Sequence, residues 1–332
     1  MKPLIQKLVE TFSPSGCEDA IRACVRAEIV PLADEIRVDA LGNLIAKKGQ
    51  AGRGGKKIML AAHLDEIGLI ASHVDKEGFV RFTTVGGVRP HSLLGGRLRF
   101  VNGAGGIIGS EYLERPDELP TFDKLFIDVG ASSQEDCPVK VGDIAAFERP
   151  FLDLGNRLVA KSMDDRIGVA VMIEAMRQLH STPHEVYFVF TTQEEIGLRG
   201  ATPVAFGLDP DLGLAVDVTG TGDTPVCAKM AVSLGRGPAI KIRDAGMLAD
   251  PRLVHWMVDA AEKAHLPYQR EVLEQGTTDA RAMQITRAGV PAGCLSIPCR
   301  YIQSPSEMVD YEDVQNAVKL LVALLSAPIE WD

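Results

Sequence analysis

An α/β domain interrupted by an all-β segment is the fold this sequence predicts, on three observations. The runs KKIMLAAH (56–63), EVYFVFTT (185–192) and LGLAVDV (212–218) are nearly continuous and apolar, which suits strands buried on both faces of a sheet. From about Leu69 to Arg149 the apolar runs are short, glycine is abundant and helical periodicity is scarce, a pattern of close-spaced β-strands. Helical spacing returns at Arg166–Leu179 and then alternates with strands to the end of the chain. At 332 residues the chain exceeds one comfortable hydrophobic core, so a large domain with a smaller one is expected. The division falls at 1–66 plus 161–332 for the α/β part and 67–160 for the β insert.

Each element has a local reason. Leu4, Ile5, Leu8 and Val9 recur at helical spacing over 2–11, and the SPSG turn ends that helix. A second helix spans Glu18 to Val30 and stops at Pro31, whose ring restricts the residue before it. Strands follow at Glu35–Asp39, Asn43–Lys48 and Lys57–His63. In the middle, GFVRFTTV, RLRFV, GGIIGS, KLFIDVG and DIAAF read as strands, and the GAGG at Gly103–Gly106 as a β-turn. That GAGG lacks the GxGxxG spacing and following helix of a dinucleotide site. After Leu179 come strands at EVYFVFTT and LGLAVDV, helices at Pro251–His265 and Asp279–Ala288, the strand PAGCLSI, and a last helix from Glu312 to Leu325.

Composition excludes several function classes. Acidic residues number 45 and basic ones 35, for a net charge of -10. Such a surface repels phosphate backbones, so nucleic acid is not an expected partner. No apolar run approaches the roughly 20 residues that span a bilayer, and the amphipathic start lacks a signal-peptide core. The six cysteines include no CxxC pair and read as reduced and buried. A cytoplasmic location and no membrane partner follow as expectations.

Five spots could carry chemistry, and four of them put acids or histidine at the end of a predicted strand, where open α/β sheets bind ligands. In AAHLDEIG, His63 and Asp65 are two apart and share a strand face, so Asp65 could orient the imidazole as a ligand. Alone, the pair is a weak signal and reads more readily as a surface or structural one. In KSMDDRIG, Asp164 and Asp165 precede a helix and suit either an N-cap or a carboxylate bridging two metal ions. In TTQEEIGLRGA, the adjacent Glu194 and Glu195 repel each other unless a cation lies between them. One would then be general base and the other a ligand. Asp217 closes the apolar strand of GLAVDVTGTGD, and the fifth spot is Ile302-Gln303-Ser304 in PCRYIQSPSEM. Jointly this is the N/O donor mix of a hydrolytic two-metal site. No GxSxG, P-loop or HExxH is present.

These same segments, AAHLDEIGLIA, VGGVRP, SMDDRIG, TTQEEIGLRGA, AVDVTGTGDTP, GTTDARAMQ and SIPCRYIQSPSEMVD, resemble successive motifs of the tetrahedral aminopeptidase family of zinc exopeptidases, in order and from FSPSG to the last helix. The resemblance implies an α/β catalytic domain of zinc-exopeptidase type with a mixed sheet flanked by helices, and a PDZ-like β insert used in dimer contacts. It implies an aminopeptidase holding two divalent ions, zinc foremost, with cobalt or manganese as alternatives. His63 and Asp217 would bind one ion, Asp164 would bridge, Glu195 would bind the second, Glu194 would be the general base and Asp65 would orient His63. It further implies a cis peptide between Asp164 and Asp165, and assembly of dimers into twelve-subunit particles. One position departs from the family: RYIHSP there is Arg300-Tyr301-Ile302-Gln303-Ser304-Pro305 here. A neutral amide oxygen is a poorer zinc ligand than imidazole, so the second site is expected to be weak. Two other readings remain at this stage, a β-glucan hydrolase using the glutamate pair and a non-catalytic member with a degraded second site.

Overall fold

The computed structural model of the protein describes residues 1–113, 115, 119–227 and 229–329. Two amphipathic helices open the chain, α1 (Lys2–Glu10) and α2 (Asp19–Ile29), which bury Leu4, Ile5, Leu8 and Val9, and Ile21, Val25 and Ile29 respectively. Strands β1 (Glu35–Val38), β2 (Leu44–Lys48) and β3 (Lys57–His63) lead into a large sheet. The next six strands are β4 (Gly68–Val74), β5 (Val80–Val85), β6 (Arg97–Phe100), β7 (Gly105–Ser110), β8 (Leu125–Asp128) and β9 (Ile144–Phe147). They close into an antiparallel barrel of order β4-β5-β8-β7-β6-β9, with its own core of Leu69, Val80, Leu98, Phe100, Ile127, Ala145 and Phe147. Closure removes the edges that an open sheet of this size would expose. Of the expected PDZ-like insert, this barrel is what the structure gives.

The chain then returns to the large sheet through β10 (Leu152–Asp153) and β11 (Arg157–Ala160), which are joined to it by β17 (Glu307–Asp310). These two strands lie within 67–160 by number but pair outside the barrel, whose last strand ends at Phe147. Helix α3 (Met163–Gln178), β12 (Glu185–Thr191), α4 (Ala201–Leu208) and β13 (Leu212–Thr219) follow. The remainder is β14 (Ala239–Arg243), α5 (Pro251–Lys263), β15 (Gln269–Val272), α6 (Asp279–Gln284), β16 (Ala292–Arg300), β17 and α7 (Tyr311–Ser326). The resulting mixed sheet has the order β1-β2-β12-β3-β13-β16-β17-β11-β10, with β14 on β16 and β15 on β14.

Burial explains the middle of this order. Strands β12, β3, β13 and β16 run parallel, and all eight residues of β13 are buried. On one face of the sheet α3 is buried nearly all round, through Ile167, Val169, Val171, Met172, Ile173 and Met176, and it packs against α1 and α7. Helices α5 and α7 start on side-chain caps. Asp250 accepts from Arg252 N–H at 2.9 Å and Asp310 from Glu312 N–H at 2.8 Å, each satisfying an orphan donor of the first turn.

Candidate metal centre

The carboxyl ends of the parallel strands gather the charged residues. In the β12–β3 ladder Thr191 is level with His63, and in the β13–β3 ladder Ala215 is level with Ala61. Extending that register by two residues brings Asp217 level with His63. Glu194 and Glu195 lie just beyond β12, and α3 begins beside them with Asp164 and Asp165, whose shared peptide is cis. Gln303 comes from the turn between β16 and β17. Gly168 allows α3 to approach β13 this closely, because a Cβ there would lie 2.4 Å from Val216 O and 2.4 Å from Asp165 Oδ1.

His63 Nδ1–H donates to the backbone carbonyl of Asp65 at 3.0 Å, with the Asp65 carboxylate at 3.5 Å. The other ring nitrogen, Nε2, therefore faces the site, 3.0 Å from Asp164 Oδ1 and 3.9 Å from Glu194 Oε2. Asp65 is spoken for on both oxygens: it accepts from Glu194 N–H at 3.0 Å, Glu195 N–H at 3.2 Å and Ser15 Oγ–H at 2.6 Å. It thus steadies the glutamate loop as well as lying beside the imidazole. Asp165 turns away from this cluster to accept from His63 N–H at 3.2 Å and Gly168 N–H at 3.0 Å.

One ligand atom from each of His63, Asp164 and Asp217 falls within 4.8 Å of the others. An imidazole and two carboxylates suit a divalent cation such as zinc. The electrostatics agree. Burial pushes the Glu194 carboxyl well up, with Asp217, Asp279 and Glu195 adding to it and His63 opposing. Burial and then Asp164 push Glu195 well up and Asp217 up to about 7. Burial works against the His63 imidazolium, but hydrogen bonds to Asp164 and Asp65 and the charge of Glu194 outweigh it and raise its pKa. Several carboxyls crowded around one histidine in a buried site are short of positive charge, which a cation would supply.

The position beside Glu195 differs. Gln303 Nε2 donates to Asp164 Oδ2 at 3.2 Å and to Glu195 Oε1 and Oε2 at 3.1 and 3.0 Å. An amide N–H is a donor and no metal ligand, so in this orientation Gln303 turns no ligand atom toward Asp164 and Glu195. Reading the sequence did not single out Glu307. It is buried, accepts from Asp164 N–H at 3.0 Å and Gln303 N–H at 2.9 Å, and so holds both in one frame. Asp279 was likewise passed over within GTTDARAMQ. It is buried, accepts from Thr191 Oγ1–H at 2.5 Å, and its carboxyl is pushed up to about 6 by burial. Its one visible signal was a lone acid opening a predicted helix, which N-capping explains as well.

A model of the M42 glutamyl aminopeptidase family matches residues 42–320. A lysyl aminopeptidase of Pyrococcus furiosus is 39% identical over 338 residues, covering 97% of this chain and 96% of that protein. Among solved structures, an aminopeptidase of the archaeon Desulfurococcus kamchatkensis superposes with a TM-score of 0.93 at 42% identity, over 98% of this chain and 94% of that one. The TET1 peptidase of Pyrococcus horikoshii, described as assembling into a tetrahedron or a large octahedral shell, gives 0.88 at 34% identity over 98% and 99%.

Proposed function

The chain belongs to the M42 glutamyl aminopeptidase family, and from that premise we propose that it removes N-terminal residues from peptides at the centre built from His63, Asp164 and Asp217, with Glu194 as general base. It is an aminopeptidase. The observation that carries the site assignment is the convergence of those three donors within 4.8 Å, with Glu194 Oε2 3.9 Å from His63 Nε2.

His63, Asp164 and Asp217 would hold a divalent metal, zinc by the chemistry of the donors, with cobalt or manganese as alternatives. When bound, the metal supplies Lewis acidity toward the scissile carbonyl and toward water. Glu194 takes the proton of the attacking water and delivers it to the leaving amine. Its backbone N–H on Asp65 fixes the approach of its carboxylate. Asp65 also holds the His63 ring in the tautomer that leaves Nε2 free, through its carbonyl at 3.0 Å. Glu195 lies on the far side of Asp164 and completes the anionic wall.

Self-association belongs to the same reading, with the barrel as the contact surface. It carries exposed Leu94, Val101, Ile107 and Val141, a larger apolar display than its folding needs. All six cysteines are free, in keeping with a reducing, cytoplasmic setting. No described helix is long and apolar enough to cross a membrane. The decisive experiment measures release of N-terminal residues from short peptides before and after exhaustive chelation, with metal content followed in parallel. Full activity in protein shown to be metal-free would overturn the metal-centred mechanism.

A further inference from the structure

The side-chain amide of Gln303 lies between Asp164 and Glu195, the two carboxylates that the family resemblance would have a second cation share. We propose that this amide takes the place of that cation, so that the centre operates with a single metal held by His63, Asp164 and Asp217. The inference rests on the metal-centred reading above and deepens it.

The geometry is that of a donor closing a gap between two anions. A primary amide nitrogen carries two hydrogens. Gln303 Nε2 directs them to Asp164 Oδ2 at 3.2 Å and to both oxygens of Glu195 at 3.1 and 3.0 Å. Asp164 is buried and Glu195 half-buried, so their negative charges are short of solvent and require a partner, and the amide N–H groups are a partner present. They also engage Asp164 Oδ2, the oxygen on the side away from His63, which contacts Oδ1. Asp164 therefore has one oxygen for a metal beside His63 and spends the other on Gln303.

The amide is held in this pose from two sides. Its backbone N–H donates to Glu307 Oε1 at 2.9 Å, and Glu307 Oε2 accepts from Asp164 N–H at 3.0 Å. One buried carboxylate thus fixes the spacing between the residue that donates and the residue that receives. Gln303 also adopts a left-handed backbone, φ 63°, which this double contact holds in place. From the barrel side, the Gly86–Gly87 turn closes over the group. A Cβ at Gly87 would lie 2.5 Å from Gln303 Oε1, and one at Gly86 2.9 Å from Glu195 Oε2.

Gln303 Oε1 is buried against this turn without a hydrogen-bond partner. It is the only atom of the side chain that could ligate a metal. To do so the amide must turn over, giving up its bonds to both carboxylates and driving its NH₂ against the glycine turn. A second cation must therefore displace a satisfied donor as well as bind.

The test counts metal on the full chain. The protein is stripped, dialysed to equilibrium against buffered micromolar zinc, and metal per chain is measured by elemental analysis, for the native sequence and for Gln303→His. One zinc per chain in the native protein and two in Gln303→His are expected. A second measurement needs no variant: the native protein loaded with cobalt should give the electron paramagnetic resonance of isolated Co(II), without spin coupling. Two zinc ions in the native protein, or coupled cobalt, would overturn the proposal, as would a single zinc in a folded Gln303→His. No zinc in the native protein would overturn the metal-centred mechanism itself, and this inference with it.

Discussion

Glu194 and His184 show how much a single side chain decides, one in the chemistry and the other in stability. Glu194→Gln keeps the shape of the side chain and its backbone bond to Asp65 but cannot accept a proton. The turnover number should fall by about 10²–10⁴-fold, with metal content and the circular dichroism spectrum unchanged. Near-native turnover in metal-loaded variant would remove Glu194 from the role of base. His184 is remote from the site and uses both ring nitrogens: Nδ1 accepts from Lys56 N–H at 3.0 Å and Nε2–H donates to Ala327 O at 2.9 Å. Only the neutral ring can do both. Burial accordingly lowers its pKa below the ordinary 6.5. The unfolded chain then takes up the proton first as the solution is acidified. The contribution of His184 is complete above about pH 6.5 and is lost as the pH falls toward the lower folded value. Urea midpoints measured from pH 7.5 to 5.5 should decline less steeply for His184→Gln than for the native protein. Parallel declines would show that other groups govern that range. Residue types at strand ends make His63, Glu194, Glu195 and Asp217 candidates in the sequence, and the structure brings them to one end of the sheet. Glu307 was not, because its role depends on reaching backbone N–H groups at Asp164 and Gln303, which no local pattern encodes.

At the scale of elements, legibility tracked how far each segment follows its own periodicity. Helices α1, α3, α5 and α7 and strands β3, β12 and β13 announce themselves through long apolar patterns. Strands β14 and β15 do not: AIKIR carries Lys241 at a position that ends fully buried, 3.0 Å from Glu271 of β15. Read locally, that lysine argues for solvent, and only the partner strand explains it. Helix α4, ATPVAFGL, includes a proline and a glycine, so its propensity is poor and packing must stabilise it. The start of α3 is anchored by Arg166, which is fully buried. It donates to Leu8 O at 2.6 Å, Thr11 O at 2.9 Å and Leu64 O at 2.7 Å, tying the end of α1 to the loop after β3. Beside it Glu66 pairs with Lys161 at 2.5 Å. Arg166→Met should cost about 3–5 kcal/mol, the usual loss when one member of a buried charged network is removed, because several buried carbonyls lose their donor together. Denaturant unfolding monitored by tryptophan fluorescence would measure it. A loss under about 1 kcal/mol would mean that water replaces the guanidinium at those carbonyls.

For the whole molecule, the change of periodicity along the chain sets the expected β part at 67–160, while the barrel strands run from Gly68 to Phe147 and β10 and β11 join the large sheet. The closure of the β part into a barrel was not legible, since closure depends on the pairing of β4 with β9 across some seventy residues. That closure bears on assembly. A closed barrel has no free sheet edge to offer, so any partner must use side chains on its outer surface. Val101 and Val141, 53% and 66% exposed, both lie near the start of β9: Val101 N–H bonds Ile144 O, and Val141 stands just before the strand, next to Gly142, whose N–H bonds Ala71 O. Apolar groups placed so openly on a barrel with a complete core of its own have their best use in contact with another copy. The native protein should therefore run in multi-angle light scattering at a multiple of the 35.8 kDa chain mass. Val101→Lys combined with Val141→Lys should shift it to smaller species, because a buried lysine without a partner costs more than an apolar contact returns. Metal content should be unaffected, since both positions belong to the barrel segment and the proposed ligands His63, Asp164 and Asp217 do not. A native protein that scatters as a monomer at micromolar concentration would refute self-association, and an unchanged assembly in the double variant would move the contact away from this face of the barrel.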